Sequence, residues 1–171
     1  DVFVELPVLS GAATVPVAEV RDGQVVRIRL RRVGELGDGP PPTDEDRRVA
    51  SALSERLGAW DSGHRVEVDV PLAWGGVSGF AERVLHALVE VQWGETITYR
   101  ELAQRAGSPG AARAVGGVMA QNPWPLVLGC HRVLPAGGGV GNYQGGPALK
   151  AWLLAAEKSG DQPAPKRRSN S

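Results

Sequence analysis

The spacing of apolar and polar positions divides the chain into a front part of short alternating runs and a back part of helical stripes. Residues 14–20 and 25–31 alternate apolar with polar side chains, the period of a half-buried strand, and Asp22-Gly23 between them predicts a tight hairpin turn. Residues 1–12 show no clear period and are expected to be a loosely held arm. Residues 34–42, rich in glycine and proline, predict a loop. Thr43, with acids at 44–46, caps a helix whose apolar face is Val49, Leu53 and Leu57. Val66, Val68 and Val70 alternate as one further strand. Residues 1–76 therefore read as a small α/β unit, an antiparallel sheet plus a helix, with no evident chemical constellation.

From Phe80 the period lengthens. Phe80, Val84, Leu88 and Val91 share a helical face that is expected to end at Trp93-Gly94. Thr98-Tyr99-Arg100-Glu101 has the spacing of a capping box and opens a short helix to Ala106, where Gly107 stops it. Ser108 is placed to cap a second helix, with Pro109 at its first position, running to about Gln121 before Asn122-Pro123 ends it. That pair predicts a helix-turn-helix. The apolar run 126–128 reads as a strand that delivers Cys130-His131, and a glycine-rich loop, 137–146, follows. A last helix starts at Pro147, with Leu149, Trp152, Leu153 and Ala156 at helical spacing. Residues 77–160 thus form a mostly helical second unit, and 161–171 read as a disordered basic tail.

At 171 residues the chain holds one ordinary domain or two small ones sharing an interface. Nineteen basic residues against nineteen acids leave no overall pull toward a polyanion. Residues 96–150, however, carry Arg100, Arg105, Arg113, Arg132 and Lys150 against Glu101 alone, a local surplus of four positive charges. A single cysteine excludes an internal disulfide and a multi-cysteine zinc site, and suits a reducing compartment. With no long apolar run and no signal-like start, a cytoplasmic location is expected, on the nucleoid if the host is bacterial, with no membrane partner. His64 and His86 read as surface or packing residues.

The second helix of the pair, from Gly110 to Ala120, is mostly small residues with one long cation, Arg113. It fits a helix packed closely on its neighbours, or a low-profile recognition helix that lets DNA approach. Cys130 likewise fits an inert core thiol or a nucleophile. A free thiol is only slightly ionised at neutral pH, so a nucleophile needs a base and electropositive surroundings. His131 is the candidate base. Adjacent strand residues point to opposite faces, so it would act through water or a turn. Glu157 falls on or beside the buried ridge of the last helix, where an unpaired carboxylate is costly, and is the candidate to orient His131. The glycine loop lacks the signature of a phosphate cradle and reads instead as a pocket wall, with Tyr143 as a stacking surface.

Together these segments resemble the O6-alkylguanine-DNA alkyltransferases. The resemblance rests on Asn122-Pro123, Cys130-His131-Arg132-Val133, Val140-Gly141-Asn142-Tyr143 with Gly145-Gly146, and the stretch from Lys150 to Glu157. It extends to Gly94-Glu95, Thr98-Tyr99 and Ala111-Ala112-Arg113-Ala114-Val115-Gly116-Gly117. It implies a front α/β domain of ribonuclease-H-like outline before a helix-turn-helix domain. The implied activity is a single irreversible transfer of the alkyl group from O6-alkylguanine, and from O4-alkylthymine, in duplex DNA to Cys130, with no cofactor and no metal, by a monomer. Cys130, His131, Glu157, Asn122 and Tyr99 are the implied catalytic set. Arg113, Tyr99, Ala112, Gly116, Gly117, Thr98 and Met119 would meet the minor groove. Val140, Tyr143, Gln144, Trp124 and Pro125 would line the base pocket. Three positions depart from the family pattern: Gly129 for the usual proline, Trp124 for a smaller aliphatic residue, and Gln144 for a small one. A lesion-binding relative that flags without transfer, and a cysteine hydrolase that turns over, are the rival expectations.

Overall fold

The computed structural model describes residues 2–6, 14–32, 40–58, 60 and 69–160. Strands β1 (Val2–Glu5), β2 (Thr14–Arg21) and β3 (Gln24–Arg32) form one antiparallel sheet in that order. The start of the expected loose arm is therefore a strand, with Val4 opposite Ala18. The hairpin turn falls where expected. Asp22 and Gly23 both take positive φ, +50° and +73°, the twist that matches flanking strands. Helix α1 (Asp44–Leu57) opens with a full capping box between Thr43 and Asp46. Asp46 also accepts from the Gly23 amide at 3.5 Å, tying the helix start to the hairpin. Val49, Leu53 and Leu57 are its buried face, as the spacing requires. Of the third expected front strand, positions 66 and 68 lie outside the described residues, and Val70 is not in a strand. The proposed basic tail and His64 also lie outside them.

Helix α2 (Gly79–Val89) ends about one turn earlier than its apolar spacing suggests. Strand β4 (Ile97–Thr98) runs straight into α3 (Tyr99–Arg105), whose capping box joins Thr98 and Glu101. The second helix of the pair, α4 (Ala112–Ala120), does not start at Ser108-Pro109. Gly107 and Gly110 sit at φ +81° and +89°, so the chain leaves the helical region twice before Ala111. Strand β5 (Val133–Leu134) pairs in parallel with β4, and α5 (Pro147–Gly160) closes the chain.

One hydrophobic core runs through both halves, from Val20 and Ile28 through Trp60 to Leu102 and Leu153. Trp124 is the main rivet between them. It is fully buried, its ring 4.7 Å from Trp74, and its indole N–H donates to the Val25 carbonyl at 2.9 Å. The β3 amide of Ile28 donates to Pro123 at 2.7 Å beside it. Among the described residues no helix is long and apolar enough to cross a membrane.

Candidate functional site

Residues 126–128 are a turn and not a strand. Leu126 sits at φ +77°, rare for a β-carbon-bearing residue and costing on the order of 1–3 kcal/mol, and Leu128 N–H donates to the Trp124 carbonyl at 2.9 Å. Cys130–Arg132 is then a single 3₁₀ turn, closed by Arg132 N–H to the Gly129 carbonyl at 2.9 Å. In this turn Cys130 lines a cleft while His131 goes fully inside, so the strand expectation of opposite faces does not apply. Gly129 has φ −74°, the value a proline ring would impose, so the turn keeps that backbone without the ring. The β4–β5 pairing sets Thr98 against Leu134, which carries Tyr99 to the wall beside Cys130.

The cleft encloses about 590 Å³. Its walls are Tyr99 at the start of α3, Ala112, Arg113, Gly116, Met119 and Ala120 of α4, Pro135, and Gly141, Asn142, Tyr143 and Gln144 of the loop, with Cys130 among them. A second cavity of about 480 Å³, lined by Trp60, Trp74, Trp93, Gly129 and Arg132 among others, lies behind the turn and does not reach Cys130.

Behind the sulfur is a buried charge cluster. Glu157, 1% exposed, binds His131 Nε2 through Oε2 and takes Arg132 through both oxygens, Nε at 2.8 Å and Nη2 at 3.1 Å. Trp60 Nε1 adds a bond at 3.0 Å and the Gly94 amide one at 3.5 Å. The front unit therefore does contribute to the site, which its sequence gave no sign of. Burial alone would raise the Glu157 carboxyl, but His131 and then Arg132 outweigh it and hold it at about 2. Burial pushes His131 below its ordinary value, against the pull of Glu157. At neutral pH the pair is thus carboxylate and neutral imidazole, with the Nε2 proton on the shared bond. Nδ1 is then a free lone pair, and it has no hydrogen-bond partner among the described residues. Trp60 and Tyr143 hold the imidazole edge-on, at centroid distances of 6.2 and 6.3 Å.

Cys130 is 3% exposed, and burial pushes its thiol up to about 11. The Asn122 amide, then Lys150 and Arg132, pull in the other direction. Asn122 is itself fixed, accepting from Trp124 N–H at 3.0 Å. Lys150 is a site residue the sequence reading passed over. It is fully buried and donates to the carbonyls of Val133 at 2.7 Å and Asn142 at 3.2 Å, with its ammonium 5.9 Å from the Tyr99 ring. Its signal was a lysine in the same stripe as Leu149, Leu153 and Glu157. The Arg132 side chain bonds Glu157 and the Val91 carbonyl, and its charge still favours the thiolate from behind the turn. Glu157, Arg132 and Lys150 together leave one positive charge uncompensated, which a Cys130 thiolate would balance.

The small residues of α4 are not explained by tight packing. A β-carbon at Gly116 or Gly117 would meet nothing within 4 Å, and Arg113, Ala114 and Gly117 are exposed. Other expected site residues lie elsewhere. Trp124 and Pro125 are buried at the junction of the two halves, not in the cleft wall, and Val140 is beside the wall without lining it. The Thr98 hydroxyl is taken by its helix cap, and Met119 is a buried part of the wall. Gln144 donates to the Met119 and Asn122 carbonyls at 3.2 and 2.9 Å, clasping the loop to the end of α4. His86 is exposed and stacks on Trp74 at 4.1 Å. Among the described residues no group of three His, Cys, Asp or Glu side chains could hold a metal ion.

Residues 79–159 match the family model described as the DNA binding domain of 6-O-methylguanine DNA methyltransferase. The methylated-DNA–protein-cysteine methyltransferase of Mycolicibacterium paratuberculosis is 44% identical over 116 residues, covering 68% of this chain and 69% of that protein. The Homo sapiens protein of the same name is 54% identical over 79 residues, which span 46% of this chain but only 38% of that relative. Among solved structures, Mycobacterium tuberculosis OGT in complex with DNA superposes with a TM-score of 0.72 at 31% identity, covering 92% of each chain. An O6-methylguanine-DNA methyltransferase from Pyrococcus kodakaraensis, at 24% identity and a TM-score of 0.63, shares the fold.

Proposed function

Because the chain belongs to the methylated-DNA–protein-cysteine methyltransferase family, we propose that it repairs O6-alkylguanine in duplex DNA by taking the alkyl group onto Cys130. The observation that carries this reading is the cleft itself. The lone thiol lies in the same cleft as an open, small-residue helix with one reaching arginine, and a His–Glu pair stands behind it.

A stacked O6-alkyl group offers no in-line approach to a sulfur set in a cleft, so the nucleotide must leave the duplex. Helix α4 would enter the minor groove, where Ala112, Gly116 and Gly117 keep its face low and Arg113 fills the space the base leaves. Tyr99 would favour rotation of the nucleotide's phosphate. Tyr143 offers its ring for stacking, and its hydroxyl, unpartnered among the described residues, is a spare donor or acceptor for the base.

The reaction is one displacement. The thiol proton passes through a water to His131 Nδ1 while the sulfur–carbon bond forms and the carbon–O6 bond breaks. The electron pair stays on the guanine, where the Tyr99 hydroxyl can donate toward N3. Burial and then the nearby sulfur raise the Tyr99 pKa, so it remains a donor at neutral pH. Asn122 and Lys150 stabilise the thiolate as it forms, and Glu157 stabilises the imidazolium. The thioether product has no leaving group to expel, so each molecule would act once.

Incubation with duplex carrying O6-methylguanine, followed by peptide mass spectrometry, tests the reading. A gain of one methylene on the Cys130 peptide, at one equivalent per protein, is expected. Binding without any gain would mark a lesion-flagging protein, and repeated turnover a hydrolase; either contradicts the proposal.

A further inference from the structure

Strand β3 carries a second basic feature outside the cleft. Arg27, Arg29 and Arg31 alternate along it and so share one face of the sheet. Arg29 and Arg31 are exposed, and the guanidinium groups of all three make no hydrogen bond or ion pair among the described residues. The register separates them further. Arg27 stands opposite Glu19 on β2, whereas Arg29 and Arg31 stand opposite Val17 and Val15. Two arginines thus have no cross-strand acid to neutralise them.

Their position gives the stripe a meaning. The groove along Arg27, Arg29 and Arg31 is also lined by Gln144, and Gln144 is part of the cleft wall that holds Cys130. The contact is tight. A β-carbon on Gly145 would stand 2.9 Å from Leu30 Cδ1, so the cleft loop lies directly on β3. The bond from Ile28 to Pro123 fixes the strand to the turn that follows α4. The arginine groove and the cleft thus share Gln144, while the loop that carries it packs on Leu30 of the strand's other face and holds β3 in place.

We propose that this face of β3 is a second backbone-binding surface for DNA, gripping phosphates of the same duplex whose lesion enters the cleft. The inference rests on the reading that duplex DNA occupies the cleft. Guanidinium groups suit the task because their planar forks bind phosphate oxygens in pairs without reading sequence. The surface would add affinity and fix how the duplex lies across the loop, while leaving the chemistry at Cys130 unchanged.

The test compares the wild type with the Arg29→Ala/Arg31→Ala double variant on a short unmodified duplex that admits one protein, at several salt concentrations. Each lost phosphate contact lowers the steepness of log K against log salt by about 0.9, so a decrease of about 1.8 is expected. The Arg29→Lys/Arg31→Lys variant should restore most of the slope. Reaction of both variants with free O6-benzylguanine should match the wild type, since that small substrate never reaches β3. An unchanged slope overturns the proposal and leaves the cleft reading intact. A loss seen only on long duplexes would place the stripe against a neighbouring complex, and also overturns it. If the wild type does not bind duplex at all, the cleft reading falls as well.

Discussion

Glu157 gathers more of the site than any other side chain. Its two oxygens accept from His131, Arg132 and Trp60 and from the Gly94 amide. Replacing it with glutamine leaves the Arg132 guanidinium buried without its counter-charge, which costs about 3–5 kcal/mol. Glu157→Gln should therefore lower the urea midpoint strongly, with a matching loss of transfer. Lys150 acts differently, through charge on the sulfur. Lys150→Met keeps the bulk but removes a cation that favours the Cys130 thiolate, so single-turnover transfer at neutral pH should slow, by up to about tenfold for each unit the thiol pKa rises. Glu157 was legible in the sequence because a carboxylate on an apolar helical ridge demands partners. Trp60 was not, because its bond to Glu157 joins positions 97 apart and nothing local announces it. Trp124 was read as pocket lining because its neighbours in the chain are site residues, yet its indole turns away to Val25.

At the scale of elements, local chemistry was readable and long-range pairing was not. The Thr43 cap, the Thr98–Glu101 capping box and the Asp22-Gly23 turn are written in four residues or fewer, and all three form where expected. Strand β1 has no period of its own and exists because β2 offers it a partner. The apolar run at 126–128 looked like a strand, but a β-strand cannot pass through Leu126 at φ +77°. Gln144 links two elements, bonding the cleft loop to the carbonyls that end α4. Gln144→Ala should speed amide exchange across residues 141–146 while shifting the melting temperature little, since the side chain is exposed. For α4 itself, Arg113→Ala should slow repair in duplex far more than reaction with free O6-benzylguanine. Equal losses on both substrates would remove its role in filling the stack.

The whole molecule should be most stable near neutral pH, for reasons set at the site. His131 is held below 6.5, so the unfolded chain takes up a proton first and stability falls as the pH drops through that value. Glu157, at about 2 against 4.5, adds a further loss on the way down from 4.5 to 2. Cys130, at about 11 against 9.0, gives an alkaline limb, because the unfolded thiol ionises first. Urea midpoints measured across pH should fall below about 6.5 and again above about 9. Trp60→Phe tests the link between the halves. It removes a donor to a buried carboxylate and should cost about 1.5–3 kcal/mol, read from the same denaturation curves.

The central claim is that burial keeps Cys130 protonated at rest and His131 removes the proton only as the alkyl group moves. Two pH profiles on the same protein test it most directly: alkylation of free Cys130 by iodoacetamide, and single-turnover transfer from O6-methylguanine in duplex. The first should climb about tenfold per pH unit toward the raised thiol pKa, while the second should be flat from about 6.5 to 9, where His131 is neutral. Two profiles that rise together would mean that a pre-formed thiolate does the chemistry and that the His131–Glu157 pair is not its base.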